Sequence, residues 1–190
     1  MTTRRLIQLL NALALVIAVL WIIFKPDFEP ALTTCVLLAT LIGLIIEEKV
    51  STSHDVDKAL FMKFKDTLPS NGTISFVDEN NFAGFSFERK RLHDFDNFVY
   101  TWNDAEHEFL DKQMESKRKE LLGLINTYLN TIATETFTTN TSGWKSVPEE
   151  WEEEQPERFE KTVSQLHNLA GEIVAKHQSL IRLARKKMKC

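Results

Sequence analysis

The chain opens on two uncharged apolar runs and continues as amphipathic stretches separated by polar breaks. Leu6–Phe24 holds about 19 residues without a charge, and Ala31–Ile46 about 16 more. The connector Lys25-Pro26-Asp27-Phe28-Glu29-Pro30 is short, charged and carries two prolines. At about 1.5 Å per helical residue the runs reach about 28 and 24 Å, against a hydrocarbon core about 30 Å thick. This pattern predicts a two-helix transmembrane hairpin over 1–48, with spans at about 6–24 and 31–46. The alternatives are a buried hairpin in a soluble core and a cleaved signal peptide. Two consecutive uncharged runs argue against the first, and the length of the leading run argues against the second. Arg4 and Arg5 precede the first run; Lys49, Lys58, Lys63 and Lys65 follow the second. Their placement predicts that both termini are cytoplasmic.

Inside this hairpin, Gln8 and Asn11 lie three apart on one face. Ala14 and Ala18 form one small-x-x-x-small pair, Ala39 and Gly43 another, with Thr40 at a depth similar to Asn11. Small residues let helices approach closely in lipid, and buried amides there need partners. These positions either close the hairpin or line an assembly of several copies, a homo-oligomer.

From Ser51 the pattern changes to that of a mostly helical domain over 49–190. Ser51-Thr52-Ser53 supplies helix N-cap residues, and Val56, Leu60, Phe61 and Phe64 repeat at helical spacing to about Leu68. Pro69-Ser70-Asn71-Gly72 breaks the chain. The stretch 73–87, with Phe76, Phe82, Phe85 and Phe87, is the least helical and predicts a short hairpin or an ordered irregular segment. Helical spacing returns at Leu92, Phe95, Val99 and Trp102, again from about Asp111 to Thr134, and for about 30 residues after Pro156. The fold class is therefore mainly α: the hairpin plus a cytoplasmic bundle with long antiparallel helices.

Composition narrows the chemistry. The net charge is −4, with 43% hydrophobic and 26% charged residues, which excludes a strongly basic nucleic-acid binder and whole-chain disorder. Two cysteines, Cys35 and Cys190, exclude a disulfide-dense scaffold. The five histidines form no His-Glu-x-x-His pair. His93 with Asp94 and Asp96, and His107 between Glu106 and Glu108, are the local His–carboxylate clusters. The glycines form no phosphate-cradling loop, and no serine sits in a nucleophile elbow. These features predict no enzyme, no cofactor, no metal site and no small-molecule substrate. The basic C-terminus, Arg182, Arg185, Lys186, Lys187 and Lys189, complements a helix end, or else touches anionic lipid or nucleic-acid phosphates.

Two segments combine a Trp with carboxylates at inter-helix turns. One is Trp102-Asn103-Asp104-Ala105-Glu106-His107-Glu108-Phe109-Leu110-Asp111; the other runs from Val147 to Phe159 through Trp151, Glu154 and Arg158. The structural reading fills the bundle ends with Trp and places Glu at helix N-termini. The functional reading is a partner surface made by Trp102, Glu106, His107, Glu108, Trp151, Glu154 and Arg158.

The WNDAEHEFLD, KRKELL and VPEEWEEEQPERFE stretches also resemble a family of poorly characterised bacterial proteins over about Ile74–Arg185. With the hairpin, the whole layout is similar to two-transmembrane-helix effectors of bacterial anti-phage systems, especially retron-encoded ones. The resemblance implies a toxin of the bacterial inner membrane, inhibited by a reverse transcriptase and its RNA–DNA complex, which perturbs the membrane when released or assembled. The alternative is a non-toxic membrane-anchored adapter that binds a cytoplasmic partner through its helical domain.

Overall fold

In the computed structural model, the described backbone covers residues 3–24 and 28–188; the side chains of 3–6, 8, 22, 24, 28–32 and 46–52 lie outside the description. The chain divides into two compact units, Met1–Asp55 and Val56–Cys190.

The first unit holds α1 (Thr3–Phe24) and the leading part of α2 (Phe28–Thr67). The uncharged runs are helical, as their composition predicts, but the membrane hairpin is not upheld. Among the described residues no helix is long and apolar enough to cross a membrane. Side chains described without a break run over 9–21 and 33–45, about 20 Å of helix each against a hydrocarbon core of about 30 Å. Nor does α2 end near Ile46 and restart at the Ser51-Thr52-Ser53 cap; it is one helix of 40 residues to Thr67. With the transmembrane hairpin fall the lipid bilayer as partner, the inner-membrane location with both termini cytoplasmic, and the membrane effector and anchored-adapter readings. The homo-oligomer in lipid was inferred from the same hairpin and falls with it.

On α1, Asn11, Ala14 and Leu15 are half-buried and Ala18 is buried, one helical stripe. On α2 the half-buried stripe is Thr34, Leu37, Leu41 and Leu44, and Ala39, Thr40 and Gly43 stand outside it. Thr40 Oγ1 donates to Val36 O at 2.5 Å, a local bond along its own helix.

The second unit is built on α5 (Lys112–Glu135) and α7 (Pro156–Met188). They run antiparallel: Arg158 meets Glu135 at one end, Lys176 meets Glu120 midway, and Lys187 meets Asp111 at the other. Their inner faces follow helical spacing. Met114, Leu121, Ile125, Tyr128 and Ile132 on α5 are buried, as are Leu166, Ala170, Ile173, Leu180 and Ala184 on α7. The end of α2, α3 (Thr73–Glu79) and α4 (His93–Thr101) cover this pair with an aromatic core. Phe64 meets Phe98 and Trp102 edge-on at 5.7 and 5.5 Å, and Phe98 stacks on Trp102 at 5.6 Å.

The stretch 73–87 differs from its sequence expectation. Its first half is helix α3, because Ile74 and Val77, three apart, both reach the core. Its end is strand β1 (Phe87–Glu88), which pairs with no local neighbour. It joins the hairpin β2 (Phe137–Thr138) and β3 (Trp144–Ser146) in an antiparallel sheet of order β1-β3-β2. Gly143, at φ 81°, supplies the left-handed residue that the hairpin turn requires.

Candidate functional site

The two Trp–carboxylate segments lie at opposite ends of α5, whose 24 residues span about 36 Å. They do not form one surface.

At the first segment, Trp102 is a core residue, 1% exposed, with His107 and Phe109 against its rings at 5.0 and 6.0 Å. Three of the four carboxylates around it are engaged. Asp104 accepts hydrogen bonds from the His107 backbone N–H at 3.0 Å and from its ring at 2.7 Å, closing the 3₁₀ turn Ala105–His107. The His107 ring holds the Asp104 carboxyl below its ordinary value. Glu108 pairs with Lys119 at 3.1 Å. Asp111 caps α5 by accepting from Gln113 N and Met114 N, both at 3.0 Å, and pairs with Lys187.

Below this turn, Arg118 is 2% exposed; it donates to Trp102 O and makes a two-pronged bond to Glu115 at 2.9 and 2.6 Å. Burial pushes the Glu115 carboxyl up, but the Arg118 and Phe109 N–H bonds outweigh it and the net shift is downward. Asp57, also buried, accepts from Leu110 N at 2.7 Å and Asp111 N at 2.9 Å. In this segment Glu106 is exposed and, among the described residues, enters no ion pair.

The second segment is arranged differently. Pro148 turns the chain into α6 (Trp151–Glu154), and Pro156 opens α7, where a missing N–H costs nothing. Trp151 is 8% exposed, with the Phe137 ring 5.6 Å away edge-on and the Arg158 guanidinium 3.7 Å over its face. Arg158 also pairs with Glu135 at 3.0 Å, so its charge serves the α5–α7 joint. Glu149, Glu150, Glu152, Glu153, Glu154 and Glu157 are exposed, and among the described residues none enters an ion pair.

Beside them lies a groove of about 460 Å³ lined by Gly84, Ser86, Phe137, Thr138, Thr139, Asn140, Ser146, Pro148, Glu149 and Glu150. The Phe137 ring on its wall is 50% exposed. The sheet register explains this. Phe137 is opposite Ser146, and Thr138 is opposite Lys145, so alternation sends Phe137 and Ser146 to the outer face. The bond from Thr139 N to Trp144 O at 3.0 Å fixes the phase of the ladder. The Thr138 N–H and C=O therefore point away from β3, along the outer edge of the sheet. The residues of this groove outside 147–159 were not singled out by sequence: the strands are two and three residues long, too short for a period-2 signal.

The remaining sequence candidates are placed as follows. The Gln8 side chain lies outside the described residues, as do Lys189 and Cys190. Asp94 and Asp96 serve Thr73 N and Arg89, at 2.8 Å each. Among the described residues no group of His, Cys, Asp and Glu could hold a metal ion. His167 accepts from Phe82 N at 3.1 Å. His177 is buried against Phe64 with Nε2 2.9 Å from Leu68 O, and burial pushes its imidazole down, partly offset by that carbonyl. Among the described residues, Tyr128 Oη and His177 Nδ1 are buried without a partner. Burial raises the Tyr128 phenol.

No protein-family model, no curated protein and no solved structure matches the chain. With no helix able to span a membrane among the described residues, the resemblance to retron-type effectors is not upheld, and the reverse transcriptase and RNA–DNA complex that it implied as inhibitor fall with it.

Proposed function

We propose that this chain is a binding protein, not an enzyme, and that its working surface is the groove between the small sheet and the acidic turn. The observation that carries the reading is the set of exposed carboxylates at 149–157 without ion-pair partners, bordering a groove walled by the exposed Phe137 ring. An uncompensated acidic rim with an aromatic anchor favours a cationic partner: the rim steers the encounter and the ring supplies desolvated contact. The outward Thr138 N–H and C=O favour a partner in extended conformation, added alongside β2. The partner class is therefore a Lys/Arg-rich extended segment of another protein.

Fluorescence anisotropy of a labelled Lys/Arg-rich peptide, titrated with the full chain, tests this. Saturable binding is expected, weakening as salt rises because exposed charges are screened beyond about 10 Å at 0.1 M. The triple substitution Glu149→Lys, Glu150→Lys, Glu153→Lys should abolish it. Phe137→Ala should weaken it by about tenfold, the size of one modest aromatic contact. Equal binding of a Glu-rich control peptide, or binding untouched by the triple substitution, overturns the reading.

A further inference from the structure

A second cleft, of about 450 Å³, lies where the Pro69–Gly72 break meets the start of α4, lined by Asn71, Gly72, Thr73, Lys90, Arg91, His93 and Asp94. Its charges follow from how the run Glu88-Arg89-Lys90-Arg91 is neutralised. Arg89 forms a two-pronged bond with Asp96, both contacts at 2.8 Å, and Lys90 pairs with Glu88 at 2.5 Å. Among the described residues, Arg91 and His93 enter no ion pair, although both are exposed on the cleft.

The one carboxylate in the lining is turned to backbone work. Asp94 Oδ2 accepts from Thr73 N at 2.8 Å, while Thr73 Oγ1 accepts from Asp94 N at 3.3 Å and donates to Arg91 O at 2.8 Å. Gly72 makes this possible. A Cβ there would lie 2.2 Å from Asp94 Oδ2, so only glycine lets that carboxylate lie against the turn. Arg91 is held too: its guanidinium lies 4.9 Å from the centroid of the Phe76 ring. A guanidinium fixed over a ring, with no carboxylate to occupy its fork, loses little freedom on taking a two-pronged oxyanion.

We infer that this cleft binds a phosphoryl group, free or as a monoester, with Arg91 as the two-pronged donor and His93 and Lys90 as flanking donors. The geometry makes Arg91 the anchor, because it is preoriented and uncompensated. Lys90 shares its charge with Glu88 and contributes less. Neither the groove beside α6 nor its cationic partner enters this inference, and the two surfaces are separate.

The test is an NMR titration of the full chain with inorganic phosphate, with phosphoserine and with chloride at matched ionic strength. Saturable shifts confined to residues 71–76 and 89–94 are expected with both phosphoryl probes and not with chloride. Stronger binding of phosphoserine identifies an ester as the source, and equal binding identifies free phosphate; both support the site. Arg91→Gln should weaken binding by about tenfold or more, the loss of a charge-assisted bidentate contact. Should that variant lose its fold with the Phe76 contact, the double variant Lys90→Gln, His93→Gln, at exposed positions, should still weaken binding several-fold. The inference is overturned by shifts that chloride reproduces, by no saturation, or by unchanged affinity in the folded variants.

Discussion

The turns at 102–111 and 147–159 have nearly the same composition, a Trp among carboxylates between two helices, yet the molecule uses them in opposite ways. In the first, the Trp is core and the acids are spent on a turn, a cap and ion pairs with Lys119 and Lys187. In the second, the Trp is covered by Phe137 and Arg158 while the acids stay free. The difference lies in what the rest of the chain brings near. The first turn receives Asp57 from α2, Arg118 and Lys119 from α5 and Lys187 from α7; among the described residues the second receives no cation from outside itself, and its own Arg158 is engaged with Glu135. Acidic residues near a helix start are therefore not informative by themselves. Whether they are neutralised separates a structural turn from a surface available for binding.

The largest break in this comparison comes from Arg118→Met. It takes from the partly buried Glu115 its two-pronged partner, leaving only the exposed Lys119 at 3.3 Å and the Phe109 N–H, and removes the donor to Trp102 O; it should cost about 3–5 kcal/mol in urea unfolding. Asp57→Ala removes the buried acceptor of the part-buried Leu110 and Asp111 N–H bonds, at a cost of about 1–3 kcal/mol by the same measurement.

Acid should act in two stages. His177 is held neutral in the fold, so the unfolded chain takes up the proton first. Stability should fall as pH drops below the ordinary imidazole value of about 6.5 and on through the lowered folded value. Asp111 and Glu115 contribute stability above the ordinary carboxylate value of about 4, lost as pH falls through their depressed folded values. In Asp111, burial pushes the carboxyl up and the Lys187 and helix-cap bonds outweigh it. Melting temperatures across pH 3–8 should show both stages in the parent chain and only the lower one in His177→Gln.

The smallest stability effect belongs to the second turn. Glu149→Lys, Glu150→Lys and Glu153→Lys together should change unfolding free energy by about 0.5 kcal/mol or less per position, since these side chains hold nothing in place. A large loss of stability there would erase the contrast between the turns.

Much of the second unit is legible in the pattern of its residues. Apolar spacing marks α4, α5 and α7, and Pro69–Gly72, Pro148 and Pro156 mark where helices stop or begin. The segment 73–87 is not legible, because Ile74 and Val77 make a helix only one core-facing turn long and β1 exists only through β3, where Phe87 lies opposite Lys145, 58 residues further on. The apolar runs of the first unit encode helix, but α2 continues through Ser51–Ser53 without the break that cap-type residues suggest.

For the site, the sequence named Trp151, Glu154 and Arg158 but not Phe137, Thr138 or the outward edge of β2. Residue type and spacing determined which segments are helical, which faces are apolar, and that acids crowd both turns, because these properties are local. Tertiary structure alone decided which of those acids are neutralised. The farthest neutralising group, Lys187, reaches Asp111 across 76 residues, and the same packing sets the Asp57 carboxylate on the Leu110 N–H across 53. Charge pairing at such separations depends on how helices pack, and no local pattern records it.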